Sequence, residues 1–199
     1  MKTTVHFHIS LYFLCTVILL AFFGCSKKIT NNHPPKFSFT RSSQSFDAVN
    51  THQIALGDLD GDGDLDAVFA SFNHGRVLLN DGSGNFTDTG QLLARYGHGV
   101  EIGDLDRDGD LDIFMINNNL QLNERSAMVY FNDGAGLFED SGQDLGDSER
   151  NGLGVQLIDI DNDNDLDAHV NYNQGESILY MNNGEGVFQK SEQVCPSGT

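Results

Sequence analysis

The 199-residue chain is poor in basic residues, in cysteine and in long apolar runs, and each shortage removes a class of function. Eleven Lys and Arg stand against 29 Asp and Glu, a formal net charge of −18. Such a chain repels a phosphate backbone, which excludes nucleic acid as a partner. Of the three cysteines, Cys15 falls in an apolar N-terminal segment, Cys25 just after it, and Cys195 stands alone near the other end. No internal disulfide framework follows from that distribution, so something else must hold the loops. The longest apolar run, ISLYFLCTVILLAFF at 9–23, is shorter than the roughly 20 residues a membrane-spanning helix needs. Finally, no His, Ser or Cys keeps a constant offset from the clustered carboxylates. The acid–base or nucleophilic pair that catalysis requires is missing, and the expectation is a protein that is not an enzyme.

The apolar run follows Lys2 and has the length of a signal-peptide core. Phe22-Phe23-Gly24-Cys25 resembles a bacterial lipobox, with Phe where Leu is usual. This reading gives a signal over 1–24, a lipid-bearing Cys25, and a polar tether over 25–36 that contains Pro34-Pro35 near its end. A secretory signal cleaved nearby and an uncleaved anchor are the alternatives. All three take the remainder of the chain out of the cytoplasm, to the cell envelope or beyond.

What is present is repetition. Fifteen of the 29 acidic residues fall in three nine-residue windows, within LGDLDGDGDLDAVFA (56–70), IGDLDRDGDLDIFMI (102–116) and LIDIDNDNDLDAHVN (157–171). A second motif follows each: LLNDGSGNFTD (78–88), YFNDGAGLFED (130–140) and YMNNGEGVFQK (180–190). Two motifs recurring in one order mark an array of supersecondary units. Ahead of each acidic loop, apolar residues alternate (Ile54 and Leu56, Val100 and Ile102, Val155 and Leu157), the period of a strand. Mostly apolar stretches after each loop suit strands buried on both faces, and RVLLN, AMVYFN and SILYMN supply a third strand. The N-D/N-G-x-G-x-F segment is turn chemistry leading into a fourth strand at Phe86, Phe138 and Phe188. The expected fold is all-β, with four-stranded antiparallel blades of β-propeller type. The repeat domain covers 37–192, with units of about 49–95, 96–149 and 150–192. PKFSFTRSSQSF at 35–46 resembles the fourth-strand segments, Phe39-Thr40 matching Phe86-Thr87. Three blades plus one extra N-terminal strand fall short of the usual four to eight. The array is therefore an incomplete or open propeller, a truncated product, or part of an oligomeric ring, and an open arc invites self-association.

The acidic loops have the composition of a cation site. A loop that folds round on itself turns side chains at positions 1, 3, 5 and 9 inward, together with the carbonyl of position 7. Oxygen-only ligands in that number suit Ca²⁺, up to three ions in all. The first loop offers Asp58, Asp60, Asp62 and Asp66, with Asp64 through its carbonyl. The second offers Asp104, Asp106, Asp108 and Asp112, with Asp110 by carbonyl. The third offers Asp159, Asp161, Asp163 and Asp167, with Asp165 by carbonyl. Position 6 favours Gly, as at Gly63 and Gly109; Asn164 is the next best choice, which makes the third site the weakest. An EF-hand needs a bidentate Glu at position 12 between helices, and that position holds Phe69, Met115 and Val170 between strands. His52, His98 and His169 read as packing or surface residues.

The paired motifs resemble FG-GAP/VCBS repeats, the family of the integrin α-subunit propeller, over about 49–190. The resemblance implies a calcium loop joining the first two strands of each blade. It also implies a protein or glycan ligand read by connections at one face, here 71–75, 117–127 and 172–176, with Asn117 to Asn119 and Arg125 as candidate contacts. The function expected is a calcium-binding, extracytoplasmic adhesion or ligand-binding module, anchored to the membrane through Cys25, with structural calcium. The alternative is an accessory domain or fragment of a larger secreted hydrolase or propeller protein.

Overall fold

A computed structural model describes residues 40–46, 50–118, 125–145, 150–173 and 177–192. The signal, Cys25, the tether and Cys195 lie outside the described residues, as do parts of the connections at 117–127 and 172–176. The chain divides into Met1–Ser42 and Ser43–Thr199. Of the first unit only 40–42 are described, and they form neither helix nor strand. Among the described residues no helix is long and apolar enough to cross a membrane.

The second unit is all-β among its described residues. β1 (Thr51–Gly57), β2 (Asp66–Ser71), β3 (Arg76–Asn80) and β4 (Phe86–Asp88) form one four-stranded sheet in sequence order. β5 (Gly97–Gly103), β6 (Asp112–Asn117), β7 (Ala127–Asn132) and β8 (Phe138–Asp140) form the second. β9 (Gly152–Ile158), β10 (Asp167–Tyr172), β11 (Ser177–Asn182) and β12 (Phe188–Lys190) form the third. Every neighbouring pair is antiparallel, and registers repeat: Gly57 faces Asp66, Gly103 faces Asp112, and Ile158 faces Asp167. These are three unclosed, propeller-like blades with the acidic loop between the first two strands of each.

The segment expected as an extra N-terminal strand, 35–46, is described only from residue 40. Residues 40–46 contain no strand, and Phe39 lies outside the described residues. Instead Phe46 packs edge-on against Phe69 and Phe86 (centroids 5.9 and 6.1 Å apart), covering the outer half of the first blade.

Blade packs on blade through two cores. The first joins Val68, Ala70 and Val77 to Val100, Ile113, Met115 and Tyr130. The second joins Phe114, Ile116 and Val129 to Val155, Ala168, Val170 and Tyr180. We call the side of a blade turned to its predecessor the leading face and the other the trailing face. β2 and β6 are buried at every residue because both faces are covered, and at about 1.5–3 kcal/mol per large apolar side chain such burial drives the stacking.

Polar clasps fix the register between blades. Gln91 donates to Gly136 O (2.7 Å) and accepts from Phe138 N (2.8 Å). Gln143 does the same to Gly186 O (2.7 Å) and Phe188 N (2.9 Å). Gln44, with its amide turned to suit its neighbours, donates to Gly84 O and accepts from Phe86 N, both at 3.2 Å. Near the inner strands the His52 ring meets Gly97 O at 3.3 Å and His98 meets Leu153 O at 2.9 Å, the two imidazoles stacking at 4.5 Å.

Candidate metal centre

Each acidic loop coils by taking left-handed backbone at positions 4 and 6. Gly61 (φ 74°) and Gly63 (91°) do so in the first loop, Arg107 (64°) and Gly109 (99°) in the second, Asn162 (63°) and Asn164 (71°) in the third. The sequence pattern pointed to position 6 alone. Glycine carries this conformation without strain and Asn tolerates it; Arg107 does not share that ease. Within the coil, aspartates at positions 3 and 5 accept from amides two residues on: Asp60 from Asp62 N (3.2 Å), Asp62 from Asp64 N (2.9 Å), Asp106 from Asp108 N (3.2 Å) and Asp108 from Asp110 N (2.9 Å).

The coil draws Asp58, Asp60 and Asp62 together with one carboxylate oxygen of each within 4.8 Å of the others. Asp104, Asp106 and Asp108 form the same group in the second loop, whereas the third groups Asp159 and Asp161 with Asp167, position 9 standing in for Asp163 at position 5. Burial pushes the carboxyls of Asp60, Asp106 and Asp161 above the usual range, and neighbouring carboxylates add to it. Asp58 Oδ1 and Asp104 Oδ1 are buried with no hydrogen-bond partner among the described residues. A buried charged oxygen left unpaired beside like charges is costly, and a hard cation satisfies it. By that test the first two loops fit Ca²⁺. In the third, both oxygens of Asp159 accept from amides, Asp163 N at 3.2 Å and Asn164 N at 3.1 Å.

Position 9 serves the backbone. Asp66 accepts from Leu59 N (2.8 Å) and Asn80 N (2.7 Å), Asp112 from Leu105 N (2.9 Å) and Asn132 N (2.9 Å), and Asp167 from Ile160 N (3.1 Å) and Asn182 N (2.8 Å). Each carboxylate therefore ties its loop to the third strand. Burial raises the Asp112 carboxyl to about 6, against the pull of those two amides.

Position 7 explains why the two sequence motifs travel together. A Cβ on Gly134 would lie 2.5 Å from Asp110 Oδ2, and one on Gly184 2.7 Å from Asp165 Oδ2. Gly82 is crowded in the same way by Asp64. The side chains of Asp64, Asp110 and Asp165 thus lie against the turn between the third and fourth strands, an arrangement compatible with the carbonyl role expected of position 7.

In sequence, the asparagine that opens that turn reads only as turn chemistry. Asn132 Nδ2 donates to Leu111 O (3.1 Å) and, across the blade boundary, to Leu59 O (2.8 Å). Asn182 Nδ2 likewise reaches Leu166 O (3.3 Å) and Leu105 O (2.7 Å). The signal available was its presence in all three copies. Arg107 makes a second cross-blade link, donating to Asp163 O (3.0 Å) and pairing with the Asp165 carboxylate.

Residues 58–115, from the first loop into the strand after the second, match the family model of the FG-GAP-like repeat. Among curated proteins, none matches the chain. A solved structure of an Agrocybe aegerita lectin, described for its recognition of non-reducing terminal N-acetylglucosamine, is 25% identical, with a TM-score of 0.44. The match covers 67% of this chain and 36% of the lectin chain, so the chain spans little more than a third of that protein. The family match spans the acidic loops of the first two of three blades built on one plan, so residues 58–115 carry FG-GAP-like repeat sequence.

Proposed function

We propose that the protein is a calcium-braced, extracytoplasmic ligand-binding or adhesion module. The observation that carries the calcium reading is the pair of buried, unpartnered oxygens, Asp58 Oδ1 and Asp104 Oδ1, each grouped with two more carboxylates. Bound calcium supplies the positive charge those groups call for. The residues themselves supply the coil, and Asp66, Asp112 and Asp167 hold it to the sheet. Location at the cell envelope through a lipid on Cys25 belongs to the same proposal.

Ligand reading belongs to the opposite ends of the strands. β2, β6 and β10 start at the acidic loops, so the connections after Ser71, Asn117 and Tyr172 lie at the far end. That end carries exposed Phe72 packed edge-on against Tyr96 at 4.7 Å, with Arg95 5.4 Å over the Tyr96 ring and Arg150 5.7 Å over Tyr172. Aromatic and guanidinium groups of this kind suit a sugar or a protein surface.

The test is calorimetric titration of chelator-stripped protein with Ca²⁺, run beside D58N and D104N. Two strong sites and a weaker third are expected, with one strong site lost in each variant; no heat at millimolar calcium overturns the reading. Glycan and protein arrays probed with wild type and F72A/Y96A, with and without calcium, then test the binding face.

A further inference from the structure

The blade-to-blade interface is built around a glycine. A Cβ on Gly57 would lie 2.5 Å from Ile102 Cδ1 and 2.8 Å from Leu111 Cδ1 of the following blade. One on Gly103 would lie 2.6 Å from Leu166 Cδ1 and 3.2 Å from Leu157 Cδ1. The leading face thus inserts an apolar pair where the trailing face has no side chain.

The two ends of the array depart from this plan in opposite ways. In the third blade the glycine position is Ile158, half-exposed, so four carbons fill the space an incoming pair would need. Beside it, His169 stands where the second blade has buried Phe114, and Asn171 where it has buried Ile116. Polar outer faces on terminal units are how repeat arrays stop. The first blade is the reverse. Ile54, Leu56 and Leu65, at the places taken by Val100, Ile102 and Leu111 in the second blade, are 50%, 56% and 58% exposed. Asn80 Nδ2 holds Leu65 O at 3.1 Å but, among the described residues, has no predecessor's Leu carbonyl to match those taken by Asn132 and Asn182. Among the described residues, Phe46 covers the outer half of this face.

We infer that the array is capped at its third blade and open at its first, and that the open face docks a blade of the same repeat type with glycine ahead of its acidic loop. The face continues an interface already formed twice in this molecule, with the same apolar pair and the same asparagine amide. The occupant comes from outside these 199 residues, because the two glycine acceptors here, Gly57 and Gly103, are already covered and Ile158 closes the third position.

The test supplies a glycine acceptor on the protein itself. I158G/H169F/N171I gives the third blade the trailing face of the second. Sedimentation velocity in millimolar calcium should find wild type monomeric across the concentration range. The triple variant should form dimers and longer head-to-tail species as concentration rises, and adding L65E should return it to monomer. A folded triple variant that stays monomeric overturns the open-face inference. Wild type that associates and is dispersed by L65E overturns the cap. The smaller pair I158G/H169V, checked by thermal melt, covers the case in which the triple variant misfolds.

Discussion

The aspartate at position 9 of each acidic loop is fixed by donors on both sides. Asp112 is fully buried, and its oxygens receive Leu105 N and Asn132 N. Asp112→Asn keeps the shape but turns an amide donor toward a backbone donor. We expect a loss of about 1–3 kcal/mol, seen as a lower thermal midpoint by circular dichroism at roughly 2–4 °C per kcal/mol for a domain of this size; an unchanged midpoint would contradict the stapling role. His52 sets a pH dependence. Burial, then the neighbouring His98, hold its pKa below the ordinary value. The folded state therefore binds this proton less readily than the unfolded chain, so the stability His52 contributes is present above about 6.5. It is lost as pH falls through that value toward the lower folded one. Melts at pH 7.5 and 5.5 should differ, and His52→Asn should shrink the difference.

At the scale of elements, the strands were legible because alternation and apolar runs persist in three copies, and the loops because five aspartates keep odd positions. The clasps were not. Gln91 and Gln143 are single polar residues in connections of unequal length, and their partners lie 47 and 45 residues ahead, visible only once blades stack. Gln193 follows Phe188 by the same five residues, although it lies outside the described residues. The pairing of Asp110 with Gly134 was equally hidden, since each had a sufficient local explanation as loop acid and turn glycine. Gln143→Ala should cost about 1–3 kcal/mol by removing two cross-blade hydrogen bonds. Arg107 combines a left-handed backbone with the link to the third loop. Arg107→Gly removes both the strain and the link, whereas Arg107→Ala removes only the link. The alanine variant should be the less stable of the two by roughly 1 kcal/mol, read from paired melts; equal stabilities would mean that the backbone at 107 carries no strain.

For the whole molecule the question is what replaces disulfides. If calcium fills the loops, chelation removes about 2.7 kcal/mol per site at a free concentration 100 times Kd. Loss of one such site lowers the melting temperature by roughly 5–10 °C in a domain of this size. A melt with and without EDTA measures this, and coincident curves would remove calcium from the stability of the fold. The asymmetry between the ends of the array was not legible at all. Ile158 reads in sequence as one more apolar residue of a strand, and its meaning emerges only where Gly57 and Gly103 meet the next blade.

The seat of Gln44 and Phe46 on the first blade also determines how the molecule yields under load. Tension applied through the residues ahead of Ser43 reaches the blades by way of this short segment, whose contacts among the described residues include a glutamine clasp and two aromatic edges. Such a contact opens residue by residue, well before a sheet sheared along its strands. In an optical trap the first event on pulling from the N-terminal side should be a small, low-force extension that vanishes in Phe46→Ala. What that peeling uncovers is Phe69 and Leu78, so the protein would turn a mechanical pull into a newly sticky surface.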